Sequence, residues 1–239
     1  RAAGLLEVPG IAQAVQQAEI VFSVCPPHAA LALAREVAGC GFRGIYVEAN
    51  AVAPATVREI GRIVAAAGAR WIDGGIIGRA PGRGASTRLY LSGAGAADIA
   101  ALFQGSTLGT VVLDAPQGAA SALKACYAAW TKGSTALLAE IRTLAQIEGV
   151  DAALLAEWKI SRPNNVQDSE QVTAAARKAW RWIGEMEEIA ASFEAAGLPG
   201  DFHHGAAEIY RRLAKFKDAP TPPRMGEVTA ALQRKHKGK

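Results

Sequence analysis

The chain has 239 residues, half of them apolar and a fifth charged, with 26 Lys and Arg against 22 Asp and Glu for a net charge of +4. This describes a soluble globular chain of one or two domains with a sizeable core, and no apolar run approaches the ~20 residues that span a bilayer. The basic excess gathers in Arg234, Lys235, Lys237 and Lys239, which read as a solvated tail rather than a nucleic-acid contact.

The first residue is Arg and an amphipathic helical pattern follows within a few positions, so the chain is expected to lack its natural N-terminus. Residues 19–25 form a short β-prone run stopped by Pro26 and Pro27, and residues 29–38 carry apolar side chains at helical spacing. The pattern repeats with a strand at 44–49, a turn at 50–54 and an alanine-rich helix at 55–67 that ends at Gly68. Further strands are expected from 69–73, at 87–92 and at 110–113. Strands alternating with helices predict a parallel-rich, doubly wound sheet with helices on both faces.

From Gly118 the texture changes, because residues 119–148 contain no proline and only one glycine, Gly133. One long helix is expected, rich in small residues that let a neighbour approach closely. Further helices are predicted at 151–159, 171–196 and 202–216, then a proline-rich linker and a last short helix. The expected division is an α/β Rossmann-type domain over 1–117 and an all-α domain over 118–239. Cys25, Cys40 and Cys126 are odd in number and far apart, so neither a disulfide framework nor a zinc site is expected and a reducing cytoplasm fits best.

Several segments could carry chemistry. Lys124 lies early in the long helix, with Ser121 one turn before it and Thr131 two turns after it on one face. Its apolar neighbours would make it readier to accept a proton, but the same pattern suits a lysine snorkelling at a domain junction. Loops after strands line ligand sites in open parallel sheets, which draws attention to Val24, Cys25 and Pro26 and to Asn50. Asn50 equally suits a turn or a helix cap. The glycine-rich run from Gly74 to Gly84 would admit close backbone approach to a ligand. Arg79 and Arg83 could fork onto a carboxylate or phosphate there, or sit in a solvated loop. The pair His203 and His204 reads as a solvated helix start rather than a metal site, the tryptophans as core or interface, and Glu185, Glu187 and Glu188 as a solvated face.

The order of these segments resembles 6-phosphogluconate dehydrogenase and the β-hydroxyacid dehydrogenases. It runs strand, Ser23-Val24-Cys25-Pro26-Pro27-His28 loop, strand, Glu48-Ala49-Asn50 loop, strand, a glycine-rich Asp73-Gly74-Gly75-Ile76-Ile77-Gly78 turn, and a long helix opening Gly118-x5-Lys124. The Trp180 to Glu188 and Ala206 to Arg212 helices look like the C-terminal domain of a bacterial subgroup of that superfamily. The resemblance implies an NAD(P)-dependent oxidoreductase acting on a small, anionic hydroxyacid or polyol-type substrate, with NADP or NAD as cofactor and a homodimeric assembly. It implies that Lys124 is the catalytic acid–base, that Val24, Cys25, Pro26 and Asn50 bind cofactor, and that Gly75, Ile77, Gly78, Arg79, Ser121 and Tyr127 bind substrate. The family's Gly-x-Gly-x-x-Gly phosphate loop is expected to precede residue 1. Two departures stand out: Ile77-Gly78-Arg79 replaces the family's Ser-Gly-Gly, and Tyr127 or Ala128 replaces its Asn. Imine or ketone reduction on the same fold, and a non-catalytic nucleotide-binding dimer, are the alternatives.

Overall fold

The computed structural model describes residue 4 and residues 6–78 and 87–233. Its contacts divide the chain into two compact units, Arg1–Cys126 and Tyr127–Lys239.

The first unit is built on a five-stranded sheet ordered β1 (Ile20–Ser23), β2 (Ile45–Glu48), β3 (Arg70–Ile77), β4 (Thr87–Ser92), β5 (Leu108–Leu113). β1, β2 and β3 are parallel, β4 runs against β3, and β5 is parallel to β4. The short helix α1 (Ile11–Gln16) precedes the sheet. The β1 to β2 crossover is α2 (Pro27–Gly39) and the β2 to β3 crossover is α3 (Pro54–Ala66). Both helices start with proline in the first turn, where its missing N–H costs no hydrogen bond and its fixed φ suits a helix.

Alternation along the strands sorts two cores onto two faces. Tyr46 packs with Ala30, Ala34 and Val37 of α2 and Val57, Ile60 and Val64 of α3. On the other face Val47, Ile72, Leu89 and Leu91 pack with Ala96 and Ile99 of α4 (Ala96–Ala101), a six-residue helix absent from the sequence expectations. Helices therefore cover both faces, as expected, and one antiparallel pair interrupts an otherwise parallel sheet.

The strand β3 bridges two offset halves of the sheet. Residues Arg70 to Asp73 pair with β2, and Asp73 to Ile77 pair with β4. The glycine-rich segment from Asp73 through Ile77, expected as a turn, is thus strand; a turn begins to be possible only at Gly78, whose φ is 126°. Arg79 and Arg83 lie outside the described residues.

Helix α5 (Ala119–Ile147) follows β5 and runs through the division between the units. The second unit continues with α6 (Asp151–Ser161), α7 (Pro163–Ala176), α8 (Ala179–Ala195), α9 (Asp201–Leu213), a 3-10 turn at Ala214–Phe216 and α10 (Met225–Leu232). The single helix expected over 171–196 is two helices that part at Arg177 and Lys178, and the first of them begins at Pro163. Residues 214–216 of the expected 202–216 helix tighten into the 3-10 turn.

Within this unit Arg142 of α5 forks onto both carboxylate oxygens of Asp151, at 2.5 and 2.9 Å, and gives a third hydrogen bond to Ser169 at 3.0 Å. One nearly buried guanidinium thereby joins α5, α6 and α7. Trp182 meets the edge of Tyr210 at 5.2 Å, and the Tyr210 hydroxyl donates to the Lys132 carbonyl at 2.5 Å, which ties α8 and α9 to α5. Glu185, expected on a solvated face, is ion-paired to Lys132 with both side chains mostly buried.

Candidate active site

The register of the sheet lines up Ser23, Glu48, Asp73 and Ser92 as neighbours on four successive strands. Cross-strand partners share a face, and all four are buried, so a polar row crosses the sheet where β1 and β2 end. A buried polar row is stable only if its groups find partners. Two clusters do this, one around Asp73 and one around Asn50.

Asp73 receives the start of α5. Its Oδ2 accepts from the backbone N–H groups of Gly118 at 2.9 Å, Ala120 at 2.8 Å and Ser121 at 3.1 Å, and from the Ser92 hydroxyl at 2.8 Å. Its Oδ1 accepts from the Ser121 hydroxyl at 2.6 Å. The first N–H groups of a helix lack intrahelical partners and carry positive dipole charge, so a carboxylate supplied from 45 or more residues away satisfies both needs. Gly118 reaches it with φ of 102°, a conformation that a side chain would strain.

With its start pinned, α5 lies directly on β3. A Cβ at Gly75 would stand 2.7 Å from the Ala120 carbonyl oxygen and 3.4 Å from the Lys124 Cβ. The glycine read as a contact for substrate is therefore the contact for the helix itself. Lys124, half-buried, sits over that strand position. Ser121 is buried with its hydroxyl committed to Asp73, Ile77 is buried in β3, Gly78 is exposed at its end, and Tyr127, half exposed, belongs to the second unit. Thr131 turns its hydroxyl back to the Tyr127 carbonyl at 3.1 Å. Asp73 was legible only as part of a motif. Its five donors are remote in sequence, and the local signal was an acidic residue closing an apolar run ahead of two glycines.

Asn50 organises the second cluster. Its Oδ1 accepts the Cys25 N–H at 2.5 Å and its Nδ2 donates to the Ser23 hydroxyl at 2.7 Å, so the side chain bridges the loops that follow β1 and β2. It does not cap α3, which starts behind Ala53. Its own N–H donates to Glu48 Oε1 at 3.0 Å. Glu48 is fully buried, and its Oε2 has no partner among the described residues, nor does the Tyr46 hydroxyl. Burial is the main cause that raises the Glu48 carboxyl to about 7, partly opposed by the Asn50 hydrogen bonds. Burial and then the Glu48 charge push the Cys25 thiol up, which leaves it a poor nucleophile.

A carboxyl with a raised folded-state pKa binds its proton more tightly in the fold than in the unfolded chain. Its contribution to stability is complete below about 4.5 and is lost as pH rises through about 7. At ~1.4 kcal/mol per unit, the loss attributable to Glu48 is ~3 kcal/mol. Urea unfolding of parent and Glu48→Gln at several pH values should show the parent losing stability relative to the mutant over that window. A constant difference would contradict the assignment.

One histidine of the pair departs from the expected solvated helix start, and His204 stays exposed. His203 is buried against Phe193 at 4.4 Å and Phe202 at 5.3 Å, and burial lowers its pKa, while His204 bridges Glu187 at 2.7 Å and Glu194 at 2.9 Å. Among the described residues no three His, Cys, Asp or Glu side chains gather as a metal site, and no helix is long and apolar enough to cross a membrane.

The architecture is matched widely among solved structures. A conserved hypothetical protein from Sinorhizobium meliloti 1021 aligns at 21% identity with a TM-score of 0.71, covering 94% of this chain and 79% of that one. The conserved protein MTH1747, of unknown function and described as structurally similar to 3-hydroxyacid dehydrogenases, aligns at 26% identity and TM-score 0.67, covering 90% and 82%. Mycobacterium tuberculosis 3-hydroxyisobutyrate dehydrogenase, solved with L-serine, aligns at 16% identity and TM-score 0.64, covering 95% and 84%. The chain thus has the 3-hydroxyacid dehydrogenase fold, in agreement with the superfamily resemblance. Residues 145–213 match the domain of unknown function DUF1932. No curated protein matches.

Proposed function

We propose that this protein is an NAD(P)-dependent dehydrogenase of a small, anionic hydroxyacid or polyol-type substrate, with Lys124 as its acid–base. The observation that carries the reading is the placement of Lys124. A buried carboxylate pins the start of α5, and a glycine in β3 lets that helix lie flat, so a half-buried lysine is held over the strand next to the end of the parallel sheet. Ligands in open α/β sheets bind beyond the carboxyl ends of strands.

The loop after β1 fits one face of a nicotinamide cofactor. Val24 leaves an apolar side chain 64% exposed at that edge, Pro26 and Pro27 present no N–H, and Asn50 fixes the Cys25 backbone between them. Val24, Cys25 and Pro26 would hold the cofactor directly, and Asn50 would shape their loop. The neighbouring fold of Psf3, solved with NADP+ and 2-OPP, supports a nicotinamide cofactor at a TM-score of 0.59. The cofactor supplies hydride acceptance. Lys124 takes the hydroxyl proton as the alcohol is oxidised and returns it in the reverse direction. Gly78, exposed just past the end of β3, would meet the anionic part of the substrate, and Arg79, the next residue in sequence, would supply the opposite charge. Incubating the protein, expressed from its complete gene, with NADP or NAD and a panel of hydroxyacids and polyols tests the reading by cofactor reduction at 340 nm. Absence of turnover across the panel would oppose it.

We further infer a homodimer. Leu123, Trp130, Leu137 and Leu144 recur every seven residues along α5, and each is 36% exposed or more, with Trp130 at 76%. A seven-residue apolar stripe on an exposed helix face is the pattern of helix–helix association. Light scattering at micromolar concentration should give about twice the 24.9 kDa chain mass, and Trp130→Glu with Leu137→Glu should return the monomer. A monomeric parent would count against the assembly.

A further inference from the structure

We propose that Glu48 is a positioning residue for the loop that follows β1: as the neutral acid it holds the Asn50 turn, and through Asn50 it keeps Ser23 and Cys25 in the conformation that accepts the nicotinamide cofactor. The proposal rests on the cofactor reading above and deepens it.

The chain of contacts is continuous and short. Glu48 Oε1 accepts the Asn50 N–H at 3.0 Å, Asn50 Nδ2 donates to Ser23 at 2.7 Å, and Asn50 Oδ1 accepts the Cys25 N–H at 2.5 Å. Glu48, Asn50 and Ser23 are all buried. The loop they fix carries the exposed Val24 at the edge of the sheet. An ionised carboxylate would bury a second charge beside Asp73, a costly arrangement that falls on an oxygen, Oε2, with no hydrogen bond among the described residues. The neutral acid needs no counter-charge. Its unpartnered oxygen lies on the same strand face as the equally unpartnered Tyr46 hydroxyl, two residues back.

The charged and titratable groups on this face give the acid no compensating cation from the sheet. They are Cys25 from the β1 loop, Tyr46 from β2 and Asp73 from β3, and the charge of Asp73 disfavours a second anion beside it. The buried faces of α2 and α3 offer only Ala30, Ala34, Val37, Val57, Ile60, Gly61 and Val64, while the exposed Arg58 of α3 reaches Gly118 at the start of α5, on the Asp73 side of the row. Lys124 of α5 stands over Gly75, one same-face position beyond Asp73 on β3. Ionisation in place would strengthen the Asn50 N–H bond, but the burial cost and the Asp73 charge favour movement of the ionised side chain toward water. That movement would release Asn50 first and the β1 loop next, which couples cofactor affinity to pH.

Two measurements on the protein from its complete gene test this. The first is NMR of the free protein: the amide signals of Asn50 and Cys25 should titrate together near neutrality in the parent and stay fixed in Glu48→Gln. The second is titration with NADPH and NADH by intrinsic fluorescence. The parent should lose affinity for its cofactor about tenfold between pH 6 and pH 8.5, a change of ~1.4 kcal/mol. Glu48→Ala should be weak at every pH, and Glu48→Gln, which keeps the acceptor and cannot ionise, should restore tight binding at both ends. Parent affinity that is flat with pH, or Glu48→Ala equal to parent, overturns the positioning role while leaving the cofactor reading intact. A parent that binds neither NADPH nor NADH overturns the cofactor reading and the proposal with it.

Discussion

Replacing Lys124 with Met is expected to cut kcat by ~10² to 10⁴, the range over which a positioned general acid or base contributes. The methionine keeps much of the lysine stem, so the helix should still lie on β3 and the affinity for NAD(P)H should barely move. The parent's kcat/KM for alcohol oxidation should fall at acid pH as its base takes up a proton, and that limb should be missing in the mutant. Steady-state kinetics over a pH series, with cofactor titrations of both proteins, make the comparison. Turnover within a few-fold of parent would move the proton acceptor to another residue and return Lys124 to the role of a snorkelling side chain.

The second large effect belongs to Asp73. Asp73→Ala removes the acceptor for three backbone N–H groups and two serine hydroxyls, all of them buried. Buried donors left without partners, and a helix start without its anion, should cost about 3–5 kcal/mol. For a chain of this length that lowers Tm by ~10 °C. The loss should reach catalysis as well, because the same contacts hold the turn that precedes Lys124: kcat should fall at least tenfold, with cofactor affinity less affected. Calorimetry and steady-state kinetics on the same preparation would separate the two. A Tm within 2 °C of parent would mean that α5 is held by its apolar contacts and that the Asp73 bonds are dispensable.

Much of the first unit was readable in the sequence for a local reason. β1 and β5 are short apolar runs stopped soon after by proline, β4 ends just before Gly93, and α2 and α3 begin at Pro27 and Pro54, so local pattern placed these elements to within a few residues. The failures were equally local. Gly74 and Gly75 suggested a turn because glycine usually marks one, yet here it removes a side chain where a helix crosses a strand. The break between α7 and α8 falls at Ala176-Arg177-Lys178-Ala179, which contains nothing that interrupts a helix by propensity. Pro163 sits in the first turn of α7, where proline starts a helix, although it read as part of a connection.

The site was legible to a different degree. Lys124 and the strand-end loops could be nominated because their positions follow from the order of elements. The duties of Asp73, Ser92 and Ser121 could not, because each depends on a contact across 19 to 48 residues. Asn50 was nominated as a cofactor contact, and its amide is already occupied by the Ser23 hydroxyl and the Cys25 backbone. The carboxyl of Glu48, quoted in the sequence only as part of a motif, is the group that the sheet register brings beside Asp73.

The anchor of α5 is made mostly from main chain. Three of the five groups that answer Asp73 are backbone N–H donors, which every residue but proline possesses. Side chains on the exposed side of the first turns, such as Leu123, can therefore be exchanged without loosening the joint that sets Lys124 in place. In evolutionary terms, the position of Lys124 is insulated from its surroundings: a lineage could refit the walls around that lysine while its placement over β3 stays as it was.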